Sequence, residues 1–430
     1  MTSSLSNLYT YFLPLLFLLT CCGGRVAEQE ATATRALAQQ ISFDGLDASC
    51  PFLTKDQEGN VVLSWVQATD TAGSYLLAYA VSEDGGNSFG TPNTIPTTKG
   101  VYPHDENLSK ILFRKNGDMI AMFAVSNPSE QNSYAGLVYY TQSFDKGSNW
   151  TAPRQLAANT AESIDERYFD MELLPNGEVA AIWLDSRKSE EAHGSSLYFS
   201  STSGRQGFVG EKVIDTDLCQ CCRTDLYLDA QGHLHVAYRG ILNKQIRDMM
   251  YMVSADGGNS FTKPERISED NWLIDGCPHT GPAMTSNQHG MHYAWFTMGG
   301  GHGVYYTQKQ NGKSFNPREV ISQAPAARHP QMASFSSGKL AIVWDERGQE
   351  GTAAGNHIGL QLREENGQHI ATRQLSPDSV SAVYPVLVPV QEEQLLVAYT
   401  VKGEGLATVW FQLVSVADKT APGQKQTAQQ

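Results

Sequence analysis

The chain has 430 residues and a formal net charge of −14, an acidic balance that excludes a basic nucleic-acid surface. Its length leaves room for two or three ordinary domains, but the repeats described below predict one repeat-built domain. Glycine, tyrosine and phenylalanine are plentiful, at 38, 18 and 16 residues, and no long helical pattern appears, which points to an all-β fold.

The chain begins with an apolar run, Leu8 to Leu19, too short to span a bilayer, followed at once by Cys21, Cys22 and two glycines. Residues 1–21 therefore read as a signal peptide. Leu18 to Cys21 approximates a bacterial lipoprotein cleavage box, with Cys21 or Cys22 lipidated; ordinary cleavage and secretion is the alternative. Residues 22–39 read as a flexible tether, 40–416 as the repeat domain, and 417–430, which lack an apolar face, as a disordered tail. The expected setting is the cell envelope or the exterior, with a monomer touching the membrane only through its lipid.

Within the domain, one stretch recurs. It reads SEDGGNSF at Ser82–Phe89, SFDKGSNW at Ser143–Trp150 and SADGGNSF at Ser254–Phe261, with weaker copies at Ser203–Phe208 and Gln308–Phe315. Asp84, Asp145 and Asp256 can accept bonds from the following backbone amides, and Gly86, Gly147 and Gly258 supply the positive φ that closes a tight loop. Each copy follows an apolar run and precedes a short stretch with proline, the order strand, hairpin turn, edge strand.

A second feature recurs seven times: a polar turn leading into an apolar strand that ends in an aromatic or a valine, from Asn60–Val66 to Gln394–Tyr399. Each is preceded by another strand, and these first-strand starts lie about 51 to 64 residues apart, the period of a four-stranded propeller blade. The first stretch resembles the Asp-box, or BNR, repeat of the sialidase superfamily. That resemblance implies a β-propeller; the count favours seven blades, with six if one unit is an insertion. The last unit lacks a fourth strand, which Gln40–Phe43 can supply to close the ring.

In such a blade the Asp-box turn lies on one face, while inner-strand starts and second-to-third-strand loops lie on the other. The Asp-boxes then read as structural staples, and the opposite channel mouth collects Cys50, His104, Asp105, Glu106, Asp165, Glu166, Arg167, Cys219, Cys221, Cys222, Arg223, Cys277, His279, Arg328, His329 and Tyr384. The resemblance implies three arginines clamping a carboxylate, an aspartate acid/base, and a tyrosine nucleophile with a glutamate. Arg239 resembles the second arginine, Arg328 the third and Tyr384 the tyrosine. Ser49–Thr54 carries no first arginine, and Arg223 stands where the glutamate is expected, so a standard sialidase is not expected. Asp105 or Glu166, with Glu106 and Asp165, could instead supply the paired carboxylates of another glycosidase.

The cysteines are the most specific oddity. Cys219, Cys221 and Cys222 open the fourth inner strand, and Cys277 and His279 open the fifth. Thiolates with an imidazole suit copper(I) or zinc; disulfides in an oxidising compartment are the alternative. Strand alternation would turn Cys221 and Cys222 to opposite sides. His233 and His235, flanking Leu234, read as cross-strand surface residues, and Trp65, Trp183, Trp295, Trp344 and Trp410 as core. Three functions remain open: recognition or processing of an extracellular glycan, metal binding, or a scaffold for a protein partner.

Overall fold

The computed structural model describes residues 38–130, 132–163, 165–187, 193–348, 355–377 and 379–417. The stretches read as signal peptide and lipidated cysteine, and nearly all of those read as tether and tail, lie outside these residues.

Seven sheets, each of four antiparallel strands, form the seven blades of a propeller. The inner strands are Ala48–Lys55, Lys110–Phe113, Glu166–Leu173, Asp225–Leu228, Ala283–Asn287, Arg328–Ser334 and Ser381–Gln391 for blades 1 to 7. Each packs against the next, and the last packs against the first, which closes the ring. Gln39 and Gln40 pair with Phe411 and Trp410 as the fourth strand of blade 7. The contact runs on as Ile41 N donates to Val409 O at 3.0 Å and Val409 N to Ser42 Oγ at 3.1 Å.

The core lies between blades, so a blade's second strand is covered on both faces and its sequence becomes almost wholly apolar. Val61–Ala68 (VVLSWVQA) is buried along all but its last residue. Trp65, Trp183, Trp295 and Trp344 occupy matching places in such strands and are fully buried. Trp410 differs: it sits half-buried in the third strand of blade 7.

The Asp-box turns join the third and fourth strands of their blades and tie each blade to its predecessor. Ser254 Oγ donates to Asp256 Oδ1 at 2.7 Å and accepts from Gly258 N at 2.8 Å, while Asp256 Oδ1 accepts from Ser260 N at 2.9 Å. These bonds, led by those from Ser260, hold the Asp256 carboxyl down at about 2. Gly258 has φ +89° and lies flat on the Phe199 ring of blade 3, where a β-carbon would not fit. Phe261 meets that ring edge-on at 5.4 Å. Phe89 does the same to Phe411 at 4.8 Å, carrying the staple across the closure from blade 1 to blade 7.

Candidate functional site

At the mouth the inner strands begin with a distortion that recurs. Cys50, Tyr168, His329 and Tyr384 have φ of 57°, 52°, 51° and 52°, and the ladder register skips across each of them. His279, ahead of the fifth inner strand, has φ 50°. A left-handed non-glycine residue costs on the order of 1–3 kcal/mol, and bulges of this kind re-aim side chains beside functional sites. Here they bring side chains from different blades together. His329 stacks on Tyr384 with centroids 4.0 Å apart, and His104 lies 6.0 Å from Tyr168 and 6.4 Å from His279.

Glu106 stands between these groups. It is 1% exposed and neither carboxylate oxygen has a hydrogen-bond partner among the described residues; Arg223 Nη1 lies 3.9 Å and His329 Nε2 3.6 Å from Oε1. Burial pushes its carboxyl up, against the pull of Arg223 and His329. His329 is oriented from the other side, with Nδ1 2.7 Å from Asp345 Oδ2, and that oxygen also accepts from Tyr384 N at 2.7 Å. Although burial disfavours its charge, Asp345 and then Glu106 hold the His329 imidazole above its usual range.

The other predicted residues divide. Asp105 is at the mouth, with Oδ2 3.4 Å from Lys402 Nζ and Oδ1 3.8 Å from the Cys50 thiol. Glu166 does not join it. Its carboxylate accepts from Val138 N at 3.0 Å, from Ser163 Oγ at 2.6 Å and from the Gln155 amide, so it ties blade 3 to blade 2, and burial pushes it up to about 7. Asp165 is used likewise, accepting from Gly136 N at 3.0 Å and Arg167 Nε at 2.7 Å. Both blade 3 carboxylates thus make their bonds within blades 2 and 3, whereas Asp105 has Lys402 and Cys50 for partners.

Arg239 is 2% exposed and donates to the carbonyls of Arg247, Thr280 and Phe296 at 3.0, 3.3 and 2.8 Å, beneath the Trp272 ring. It braces backbone where the resemblance implied a free carboxylate clamp. Arg328 lies over Phe296 at 5.1 Å, and its buried Nε has no hydrogen-bond partner among the described residues. Burial, then Glu106 and Asp105, push the Tyr384 phenol far above its usual value, the reverse of an activated nucleophile.

The cysteines converge fully. Cys219, Cys221 and Cys222 offer sulfurs within 4.8 Å of one another, and Cys221, Cys277 and His279 form a second such triad, so Cys221 is shared. Cys219 Sγ lies 3.5 Å from both Cys221 Sγ and Cys222 Sγ. The alternation expected of a strand does not apply, because residues 219–222 form a turn and the inner strand begins only at Asp225. The turn is held alongside the second strand of blade 4 by Cys219 N donating to Arg239 O at 2.9 Å. Gly281 allows the Cys277–His279 segment to close on it, since a β-carbon there would fall on the Arg223 carbonyl oxygen. Among the described residues no disulfide forms; Cys219, Cys221 and Cys222 are buried and Cys277 is exposed. Hydrogen bonds from Cys221 and Cys222, with Arg239 nearby, push the Cys219 thiol down, while the same bonding pushes Cys221 up.

Three participants were not singled out from sequence. Tyr168 holds the bulge position of Cys50, His329 and Tyr384 but lacks the proline that follows each of them, so nothing local marked it. Lys402 ends a second strand and carries no signal. Asp229 is the third: it faces His233 and His235, and His235 is buried, contrary to the surface reading, because second strands are covered on both faces.

Residues 104–342 match the model of the BNR repeat-like domain. No curated protein matches the chain in sequence. Several solved structures share the fold. A Dyadobacter fermentans protein of unknown function is 13% identical over 88% of this chain and 99% of its own, with TM-score 0.50. The polysaccharide lyase Uly1 is 11% identical over 91% and 94%, with TM-score 0.52. The intramolecular trans-sialidase of Ruminococcus gnavus, bound to oseltamivir carboxylate, is 10% identical over 91% and 100%, with TM-score 0.52. At such identities the likeness is one of fold, and function rests on the site.

Proposed function

We propose that this chain, which belongs to the BNR repeat-like domain family, is a metal-binding propeller that holds copper(I) or zinc at its channel mouth. The observation that carries the reading is the convergence of Cys219, Cys221, Cys222, Cys277 and His279 from two segments into two triads sharing Cys221. A tetrahedral site with metal–sulfur bonds of about 2.3 Å spaces its sulfurs about 3.8 Å apart. The 3.5 Å separations therefore need a shift of only a few tenths of an ångström. Soft thiolates with one imidazole select copper(I) and zinc over hard cations. The buried triad offers three sulfurs to the ion, and through the shared Cys221 the exposed Cys277 and His279 form a second triad on the solvent side.

Elemental analysis of the purified chain, with Cys21 and Cys22 replaced by serine, tests this. One copper or zinc equivalent per chain is expected to depend on Cys221, absent in Cys221→Ser because that thiol serves both triads, and kept in Cys50→Ser. Metal-free protein with unreactive, paired thiols would overturn it.

A second reading is favoured by Glu106, a buried carboxylate without hydrogen-bond partners beside the Asp345-held His329. Such a group awaits a donor, and a sugar hydroxyl could supply it, which supports glycan recognition or processing at the same mouth. Assay of sialosides and acidic polysaccharides for cleavage would show activity falling at least about 100-fold in Glu106→Gln; activity unchanged by that substitution would sink the reading. Export and lipid anchoring belong to the proposal as well. Palmitate labelling dependent on Cys21 or Cys22 supports them, and an unlabelled, intracellular chain does not.

A further inference from the structure

On the Asp-box side of blade 4, at the other end of the inner strand Asp225–Leu228 from the mouth cysteines, two imidazoles and one carboxylate meet. Asp229 Oδ2 lies 3.1 Å from His233 Nδ1 and 3.0 Å from His235 Nε2, and the three donor atoms all fall within 4.8 Å of one another. They line a groove of about 390 Å³ together with Tyr251, Gln288 and Asn311.

The repeat itself shows that the hairpin does not need these histidines. Blade 1 makes the same turn at Asp56–Asn60. There Asp56 Oδ1 accepts from Glu58 N and Asn60 N at 3.0 and 2.8 Å, and Oδ2 accepts from the Asn60 side-chain amide at 3.0 Å. In blade 4, Asp229 Oδ1 accepts from Gln231 N and His233 N at 2.9 and 2.8 Å, which completes the same turn. His233 replaces Asn60, and His235 replaces Val62, an apolar residue with 0% exposure. An imidazole in place of a buried valine costs stability unless it is bonded. Its two nitrogens are met by Asp229 and by the Tyr251 hydroxyl, 2.8 Å from Nδ1.

We infer that Asp229, His233 and His235 form a second metal site, for a divalent cation of the zinc class. With ligand bonds of about 2.1 Å, a tetrahedral ion spaces its donors about 3.4 Å apart, so the 3.0 and 3.1 Å edges open slightly to admit it. On loading, His235 binds through Nε2 and carries its proton on Nδ1. That N–H donates to the Tyr251 hydroxyl, the outer-shell support that fixes a ligating imidazole. His233 binds through Nδ1 and turns Nε2–H to solvent. Its side chain is 42% exposed, against 7% for His235, so the fourth position faces the groove and stays open to water or a small ligand.

The test is zinc titration by calorimetry on the full chain and on variants, with the histidine tautomers followed by ¹⁵N NMR. One zinc equivalent is expected that persists in Cys221→Ser. It should weaken at least ten-fold in His233→Ala, an exposed change that leaves the core intact, and vanish in Asp229→Asn, which keeps the Oδ1 acceptor of the turn. His235 should shift to the Nδ1–H tautomer as zinc is added. Zinc binding unchanged in both variants, no binding outside the Cys221-dependent equivalent, or no tautomer change would overturn it. Because loss with Cys221 and loss with Asp229 report different sites, this inference and the mouth centre fail separately.

Discussion

At the scale of single residues, two carboxyls of the third inner strand sit in environments that oppose their usual charge. Glu166 has its carboxyl pushed up to about 7 by burial, from an ordinary 4.5. In the folded state it therefore binds a proton that the unfolded chain has released between those values. Its stabilising effect is complete below pH 4.5 and is lost as pH rises through 7. Glu172, pushed up to about 8 by burial and then by Asp170, acts in the same direction over a wider window. Denaturant unfolding at pH 5 and pH 8 should show lower stability at pH 8. Glu166→Gln should remove on the order of 2 kcal/mol of that difference; an unchanged pH slope would contradict the assignment.

Residue types and spacing made the cysteine cluster legible, because Cys219 to Cys222 and Cys277 to His279 open adjacent units of a repeat. What they could not convey was that residues 219–222 leave the strand for a turn, which brings Cys221 and Cys222 to one centre. Arg239 misled for a related reason. Its type matched a carboxylate clamp, but its 2% exposure and three carbonyl partners arise from a loop of blade 4 and from the approach and second strand of blade 5, which no local pattern specifies.

At the scale of elements, the Asp-box is an interblade staple, and its glycine is placed by packing as much as by φ. Gly258→Ala adds both a left-handed strain and a methyl against the Phe199 ring. It should cost about 2–4 kcal/mol in denaturant unfolding, whereas a loss below about 0.5 kcal/mol would mean that the blade 3 and blade 4 contact is not held there. These hairpins were readable because their chemistry is local: serine, aspartate and glycine bond within five residues. The bulges at Cys50, Tyr168, His329 and Tyr384 were not. A skipped ladder position depends on the partner strand, and only the proline after Cys50, His329 and Tyr384 hints at it.

At the scale of the molecule, seven blades close when Gln39 and Gln40 complete the last sheet, an arrangement the missing fourth strand of the final unit foretold. Closure turns every inner-strand start toward one mouth, so residues far apart in the chain become neighbours without any long-range sequence signal. The proposed centre uses this directly, since its ligands come from the approaches to blades 4 and 5. X-ray absorption at the copper edge of the copper(I)-loaded chain addresses it most directly. The account predicts a first shell dominated by about three sulfurs near 2.3 Å, with one imidazole nitrogen, converted to nitrogen and oxygen or lost altogether in Cys221→Ser. A shell of nitrogen and oxygen alone in the unaltered chain would contradict it.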